Sequence, residues 1–162
     1  MKMTPKIFGF SLIELVIVMT IAAILAGVGF SGYMDNIRVQ RRQDAILALQ
    51  KAYLLIGNAA SQPGNSCSST TCGASACTLD ANNHIIFPCT STNGYYCISY
   101  CSTGFSSTSI ASTDKQYLTA TELLILQAIA ITGQGQEKDT PATCRNIYFS
   151  DQNNLYPSSC VH

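Results

Sequence analysis

The feature that most constrains this chain is a long apolar run near its N-terminus that begins beside a single carboxylate. Residues from Leu15 to Phe30 are almost entirely apolar, and Glu14 stands immediately before them. The stretch from Ser11 to Ser31 has about the 20 residues that a helix needs to cross a bilayer. A carboxylate at the centre of a membrane helix costs roughly 2.5–3.5 kcal/mol, so such residues are rare and usually functional. Glu14 therefore calls for an explanation.

Two ordinary interpretations of the apolar run leave features unexplained. Lys2 and Lys6 precede it, as in a secretory signal peptide that would be cut near Ala26. However, Glu14 interrupts the apolar region, and the helical pattern continues after Gly27. A plain anchor helix is the second interpretation, and it gives Glu14 no role.

The segment GFSLIEL resembles the prepilin processing site of type IV pilins. Gly9 is followed by Phe10, and Glu14 is fifth counting from Phe10. The resemblance implies that a membrane peptidase cuts after Gly9 and methylates the new N-terminus at Phe10. It also implies a single-pass inner-membrane precursor with a cytoplasmic N-terminus and a periplasm-facing domain, which later becomes part of an extracellular pilus.

The same resemblance gives Glu14 a role in assembly. It implies that the carboxylate lies in the apolar filament core and pairs with the N-terminal amine of Phe10 on a neighbouring subunit. An isolated buried charge is strongly disfavoured, whereas a charge matched to an ammonium is tolerated. Glu14 would then select one axial register between subunits.

The resemblance further implies an α+β fold. A long N-terminal helix, part membrane anchor and part amphipathic, would pack on a small antiparallel sheet with a disulfide-closed C-terminal loop. We expect a leader peptide at 1–9, a transmembrane or filament-core helix at 10–32 and an amphipathic half at 33–57. A periplasmic globular domain at 58–162 would contain a Cys-rich loop at 58–93 and a C-terminal disulfide loop at 144–160.

Apolar residues at three- and four-residue steps predict that the helix continues well beyond the apolar run, from about Ser11 to Ile56. Gly57 and the Pro63-Gly64 pair would end it. Its second half should pack one stripe on a sheet, formed by Ala45, Ile46, Leu49, Ala52, Tyr53 and Ile56.

Three strands are predicted from β-favouring runs separated by turn residues: Tyr95–Tyr100, Ala128–Thr132 and Arg145–Phe149. The segment Leu123–Gln127 remains open, because Thr119 and Glu122 have the spacing of a capping box that could begin a helical turn.

Cysteine usage indicates an oxidising compartment. All eight cysteines lie at or after Cys67, outside the apolar run, and an even number in this position is typical of a disulfide framework. Zinc is the alternative, but the spacings lack the C-x2-C pattern of structural zinc sites, and only His84 and His162 could assist. We therefore expect no metal and no cofactor.

The family resemblance implies one disulfide, between Cys144 and Cys160. Closing that loop would stabilise the fold by roughly 3 kcal/mol in the chain-entropy model. The other six cysteines admit fifteen pairings, which the sequence does not distinguish. Local pairing among the first three of them, with the last three completing the set, is one plausible arrangement of Cys67, Cys72, Cys77, Cys89, Cys97 and Cys101.

Three arginines, Arg38, Arg41 and Arg42, follow the apolar run close to Asp35 and Asp44. A solvated face with local ion pairs is the first interpretation. Salt bridges between subunits are the second, and a DNA-contacting patch is the third.

The functional hypothesis is a structural subunit, a minor type IV pilin that supports pilus biogenesis, adhesion, twitching motility or DNA uptake. More narrowly, Gln136, Asp139 and Cys144 occur in an order similar to that of minor pilins of the PilE and ComP group. A ComP-like receptor for DNA is the alternative, although only Lys115, Lys138 and Arg145 are fixed positive charges after Gly57. A pseudopilin of type II secretion is the third possibility.

The resemblance implies several partners: other pilin subunits, the prepilin peptidase, the inner-membrane assembly machinery and the inner membrane itself. Energy for assembly would come from a separate ATPase, because the sequence has no GxxxxGK[ST] loop. An enzyme is not expected, since neither G-x-S-x-G nor H-E-x-x-H occurs.

Overall fold

One long helix precedes a small antiparallel sheet. The computed structural model describes residues 10–59, 63–64, 66–67, 72–73, 76–106, 121–139 and 141–161. Helix α1 spans Leu12–Asn58, and the strands are β1 (Cys89–Thr90), β2 (Tyr96–Tyr100), β3 (Leu124–Ala130), β4 (Asn146–Ser150) and β5 (Leu155–Tyr156). The strands form one sheet in the order β1-β2-β3-β4-β5, and every neighbouring pair is antiparallel. The predicted α+β pilin-like architecture is confirmed.

The chain divides into two units, with the boundary between Ile37 and Arg38. In the first unit the described residues are those from Phe10 to Ile37, which belong almost entirely to α1. The second unit contains the remainder of α1 and the whole sheet. The predicted leader, residues 1–9, lies outside the described residues.

The core of the second unit lies between the later turns of α1 and one face of the sheet. Ala45, Leu49 and Ala52 are completely buried there, and Ile46 is also buried. Tyr53 and Ile56 are half-buried against the same core. The stripe predicted from the sequence is therefore confirmed, and it meets β2, β3 and β4 through side chains such as Ile98, Leu126 and Phe149.

The segment Leu123–Gln127, for which the sequence allowed a strand or a helical turn, lies almost entirely in the central strand of the sheet. Leu124–Ala130 forms β3, which pairs with β2 on one side and β4 on the other. A helical turn at residues 124–127 would lose both sets of backbone hydrogen bonds, so the capping-box interpretation is wrong for these residues. Thr119 lies outside the described residues. Ile131 and Thr132 follow the end of β3, so the strand ends two residues earlier than predicted.

The other strands differ from the prediction by one residue or were missed. Strand β2 begins at Tyr96, one residue late, and β4 is shifted by one residue to Asn146–Ser150. Strands β1 and β5 have two residues each, too few for an alternating pattern to reveal them. A bulge between Leu124 and Leu126 places Leu124 in a second small cluster with Tyr148 and Tyr156.

Candidate functional site

The beginning of α1 presents an unusual surface for a water-soluble protein. Ser11 directly precedes the helix, and its carbonyl accepts the Leu15 amide hydrogen at 3.2 Å. Glu14 lies in the first turn, where the helix dipole favours a negative charge. All residues from Phe10 to Phe30 are exposed, including Phe10 at 83%. The segment is therefore a bare apolar helix that carries one carboxylate.

Phe10 and Glu14 belong to the same local surface. Together with Leu15, Val18, Met19 and Ala22 they line a shallow groove along the helix. Glu14 supplies the only ionisable side chain among these lining residues. The two residues that the sequence predicted for methylation and assembly thus lie side by side at the helix start.

The length and composition of α1 would allow it to cross a membrane. Its most apolar stretch of 18 residues has a mean hydropathy of 2.5 and is entirely exposed. A signal sequence near the N-terminus would pass the same test, so hydropathy alone does not distinguish these classes. The residues around Gly9 and Glu14 distinguish them.

Residues 5–30 match the prokaryotic N-terminal methylation motif family. This match supports a type IV pilin-like prepilin, in which the apolar helix anchors a precursor in the membrane. It indicates a structural protein that is processed by prepilin peptidase and assembles with other pilins. No curated protein and no solved structure is significantly similar to the chain.

The eight cysteines of the chain form four disulfides, and three of these disulfides are nested. Cys67 pairs with Cys101, Cys72 with Cys97 and Cys77 with Cys89. Local pairing among the first three cysteines is therefore not found. Each of them instead joins the Cys-rich segment to β1, to β2 or to the residue after β2, which leaves no free thiol.

The fourth disulfide joins Cys144 to Cys160, with 5.4 Å between the two Cα atoms. Both cysteines are buried, and each lies in a short 3-10 helix at one end of the C-terminal loop. The loop between them carries β4 and β5, so the cross-link closes the edge of the sheet.

A buried polar cluster holds the segment before this loop against α1 and contacts Cys144 at the start of the loop. The guanidinium of Arg42 forms a salt bridge with Asp139 at 2.9 Å, and the two side chains are 7% and 1% exposed. The Gln136 amide nitrogen lies 2.9 Å from the same carboxylate, 3.0 Å from the Tyr96 hydroxyl and 3.2 Å from the Arg38 carbonyl. Tyr96 donates in turn to the Cys144 carbonyl at 3.2 Å.

Burial determines the protonation state of Tyr96 in this cluster. Desolvation raises the pKa of the Tyr96 phenol well above its ordinary value, and the Gln136 hydrogen bond opposes that shift only in part. Tyr96 therefore keeps its proton and remains a donor. Arg42 also donates to the Cys144 sulfur at 3.7 Å, so the cluster connects the helix directly to the C-terminal disulfide.

Arg41 and Arg42 do not belong to the solvated face expected from the sequence. Arg42 is buried and neutralised by Asp139, because helical periodicity turns it toward the same side as the apolar stripe. Arg41 donates to the Gln134 carbonyl at 2.9 Å, and its guanidinium carbon lies 3.9 Å from the centre of the Tyr95 ring. These two arginines tie α1 to loops of its own domain, so they are not available as a DNA-contacting patch.

Sequence reasoning placed Gln136, Asp139 and Cys144 in order but missed Tyr96 and Arg42 as their partners. Glu122 was assigned to a capping box, whereas it is buried and accepts hydrogen bonds from Asn154 at 2.9 Å and from Tyr156 at 3.3 Å. For Arg42 the available signal was a charge at a core position of a helix.

Proposed function

We propose that this chain is a minor type IV pilin, a structural subunit that is cut after Gly9 and N-methylated at Phe10. The observation that carries the proposal is the exposed apolar helix with Glu14 in its first turn, within a match to the methylation motif. Such a surface is stable in water only after it is covered, first by lipid and then by other helices. The precursor crosses the inner membrane once, with its N-terminus in the cytoplasm.

In the filament, Glu14 pairs with the N-terminal amine of Phe10 on a neighbouring subunit. A carboxylate buried among apolar helices needs a cation, and a newly formed N-terminus supplies one without adding a side chain. The match of charge to charge fixes the axial position of each subunit. Prepilin peptidase and the inner-membrane assembly machinery are the partners that this route requires.

The four disulfides support a pilus component exposed outside the cell. Disulfides persist in the oxidising periplasm and outside the cell, whereas free thiols would be oxidised there. The DNA-receptor alternative gains no support from the described basic residues, because Arg41 and Arg42 are engaged within the domain.

The first test is the intact mass of the membrane-extracted protein without reduction. We expect a chain that starts at N-methylated Phe10 and lacks eight hydrogens, because four disulfides have formed. A chain that retains Met1 or begins near Gly27 would contradict the proposal.

Two variants separate processing from assembly. In Gly9→Asp the peptidase site is lost, so the full-length precursor should accumulate in the membrane. In Glu14→Gln the chain should be cut normally but recovered poorly in sheared filaments, because the neutral amide cannot form the ion pair. Normal recovery of Glu14→Gln in filaments would remove the proposed role of Glu14.

A further inference from the structure

Two of the four disulfides join cysteines that are not neighbours in the order of cysteines along the chain. Cys77–Cys89 and Cys144–Cys160 connect successive cysteines, at sequence separations of 12 and 16. Cys72–Cys97 and Cys67–Cys101, here named the outer pairs, enclose other cysteines at separations of 25 and 34. The outer pairs must therefore form in competition with shorter connections.

The same four cysteines have shorter connections available. Cys67 and Cys72 are five residues apart, and Cys97 and Cys101 are four residues apart. These two alternatives are here named the consecutive pairs. The probability that a flexible loop closes falls with about the 3/2 power of its length, so a consecutive pair closes roughly 15-fold more readily than an outer pair. Oxidation of an unfolded chain therefore favours the consecutive pairs.

A disulfide between Cys97 and Cys101 is incompatible with strand β2. Cys97 lies within β2, and Cys101 directly follows the strand and continues its ladder by donating from its amide to the Ile125 carbonyl at 2.9 Å. Four steps of extended chain separate the two Cα atoms by about 13 Å, whereas a disulfide spans at most about 7 Å. Strand β2 pairs with both β1 and β3. A chain that holds this consecutive pair cannot complete its sheet.

The chain has no thiol of its own that could correct such an error. All eight cysteines are paired, and none is free. Disulfides rearrange when a thiolate attacks one of their sulfur atoms. A fully oxidised chain with wrong pairs contains no thiolate, because its cysteine number is even. Correction therefore requires a thiolate from another molecule.

We propose that a periplasmic thiol–disulfide isomerase acts on this chain and converts the consecutive pairs into the outer pairs. The inference rests on the proposed pilin function, which places the globular unit in the periplasm. The partner is defined by its chemistry, a protein with a reactive cysteine that is held as a thiolate. The disulfides are first formed by a separate oxidase, which transfers its own disulfide to the chain and is reduced to a dithiol.

The exchange needs no further oxidant. The isomerase thiolate attacks the Cys97 sulfur of the Cys97–Cys101 bond, which forms a mixed disulfide and releases the Cys101 thiolate. That thiolate attacks Cys67 in the Cys67–Cys72 bond, forms the Cys67–Cys101 pair and releases the Cys72 thiolate. Cys72 then attacks Cys97 in the mixed disulfide, which forms the Cys72–Cys97 pair and returns the isomerase thiolate. The chain holds the same number of disulfides before and after, and β2 is now free to form.

Oxidative refolding of the full-length chain tests the proposal. The reduced protein, in detergent and without denaturant, is oxidised with diamide, which supplies no thiol. A second sample then receives reduced protein disulfide isomerase, and a third receives the same enzyme with its cysteines alkylated. The disulfides are mapped by mass spectrometry of peptides, because the intact mass is the same for every fully oxidised pairing.

Diamide alone should give the outer pairs in less than about a tenth of the chains. The active isomerase should raise that fraction by about fivefold or more, and the alkylated enzyme should leave it unchanged. The Cys144–Cys160 bond is the internal control, because it joins successive cysteines and should form in all three samples. Outer pairs in most chains after diamide alone overturn the proposal, as does an active isomerase that fails to produce them.

A pair of variants with fewer cysteines tests the competition itself. Cys77→Ser/Cys89→Ser leaves four cysteines in the Cys-rich segment and β2, which allow three pairings. This variant should still require the isomerase. The further changes Cys67→Ser/Cys101→Ser remove one member of each consecutive pair, so the two cysteines that remain there should join with diamide alone. A requirement for the isomerase in this last variant would show that the consecutive pairs are not the obstacle.

The outcomes separate this inference from the function on which it rests. A chain that begins at N-methylated Phe10 but forms its outer pairs with diamide alone overturns the isomerase proposal and leaves the pilin assignment intact. A chain that retains Met1 contradicts the pilin assignment, and the periplasmic isomerase is then overturned as the partner even where the exchange occurs in vitro.

Discussion

The buried ion pair between Arg42 and Asp139 allows a quantitative test of how the segment before the C-terminal loop is held on α1. Its two atoms are 2.9 Å apart, and neither side chain is more than 7% exposed. Removing one member of such a pair leaves an uncompensated charge in the interior, which costs about 3–5 kcal/mol. Whole domains are stable by only about 5–15 kcal/mol, so Arg42→Met should remove a large share of the stability.

The assay is guanidinium unfolding of the full chain in detergent with its disulfides intact, followed by near-ultraviolet circular dichroism of the tyrosines. Arg145→Met is the matched control, because Arg145 is an exposed arginine next to Cys144. Its effect on the unfolding free energy should stay within about 0.5 kcal/mol. The double variant Arg42→Met/Asp139→Leu should recover most of the loss, since an apolar pair of similar volume removes both buried charges.

The comparison of the single and double variants decides the interpretation. If Arg42→Met costs no more unfolding free energy than Arg145→Met, the ion pair does not hold the segment that contains Asp139 on α1. If the double variant loses as much unfolding free energy as the two single variants together, the two side chains do not act together. The cluster is then a set of independent contacts.

Three further predictions concern other parts of the second unit. Leu49→Ala should lower the unfolding free energy by about 2–5 kcal/mol because Leu49 is completely buried, whereas Leu47→Ala should change it little in the same denaturation assay. Burial raises the pKa of Tyr96, so the neutral phenol contributes its full stabilisation of the fold below the ordinary tyrosine pKa of about 10. That contribution is lost as pH rises through the pKa of Tyr96 in the folded protein. Phenolate absorbance should therefore show Tyr96 ionising only together with unfolding, and an early, fully reversible titration of every tyrosine would contradict this. A hydrogen bond from the backbone amide of His84 lowers the pKa of Asp80, so the ionised carboxylate stabilises the fold above about pH 3.9. This stabilisation is lost as pH falls through the pKa of Asp80 in the folded protein. The carbon NMR signal of the Asp80 carboxyl should therefore change with pH below about 3.9.

The sequence predicted those parts of the fold that depend on local periodicity. The stripe of α1 was recognisable because each of its residues is three or four positions from the next, and burial follows that spacing. Strand β3 was harder, since a short apolar run such as LILQ fits either a helix or a buried strand. Only the two neighbouring strands, which are remote in the sequence, decide between them.

Parts of the candidate site were beyond prediction for a different reason. Arg42 and its partner Asp139 are remote in the sequence and meet only in the folded domain, so the local neighbours Asp35 and Asp44 did not reveal the partner of Arg42. The pairing of six cysteines likewise depends on where β1 and β2 carry three of them. The N-terminal motif was predictable because its residues are contiguous and need no tertiary context.

The nested disulfides have a mechanical consequence for a subunit under tension. The outermost cross-link closes 34 residues between Cys67 and Cys101, and the C-terminal one closes 16 residues between Cys144 and Cys160. At about 3.5 Å per extended residue, these loops withhold roughly 120 Å and 55 Å of contour length. A pulling force that unfolds the domain can therefore lengthen only the chain outside the two loops, and a large part of the globular unit cannot be drawn out while its disulfides remain closed.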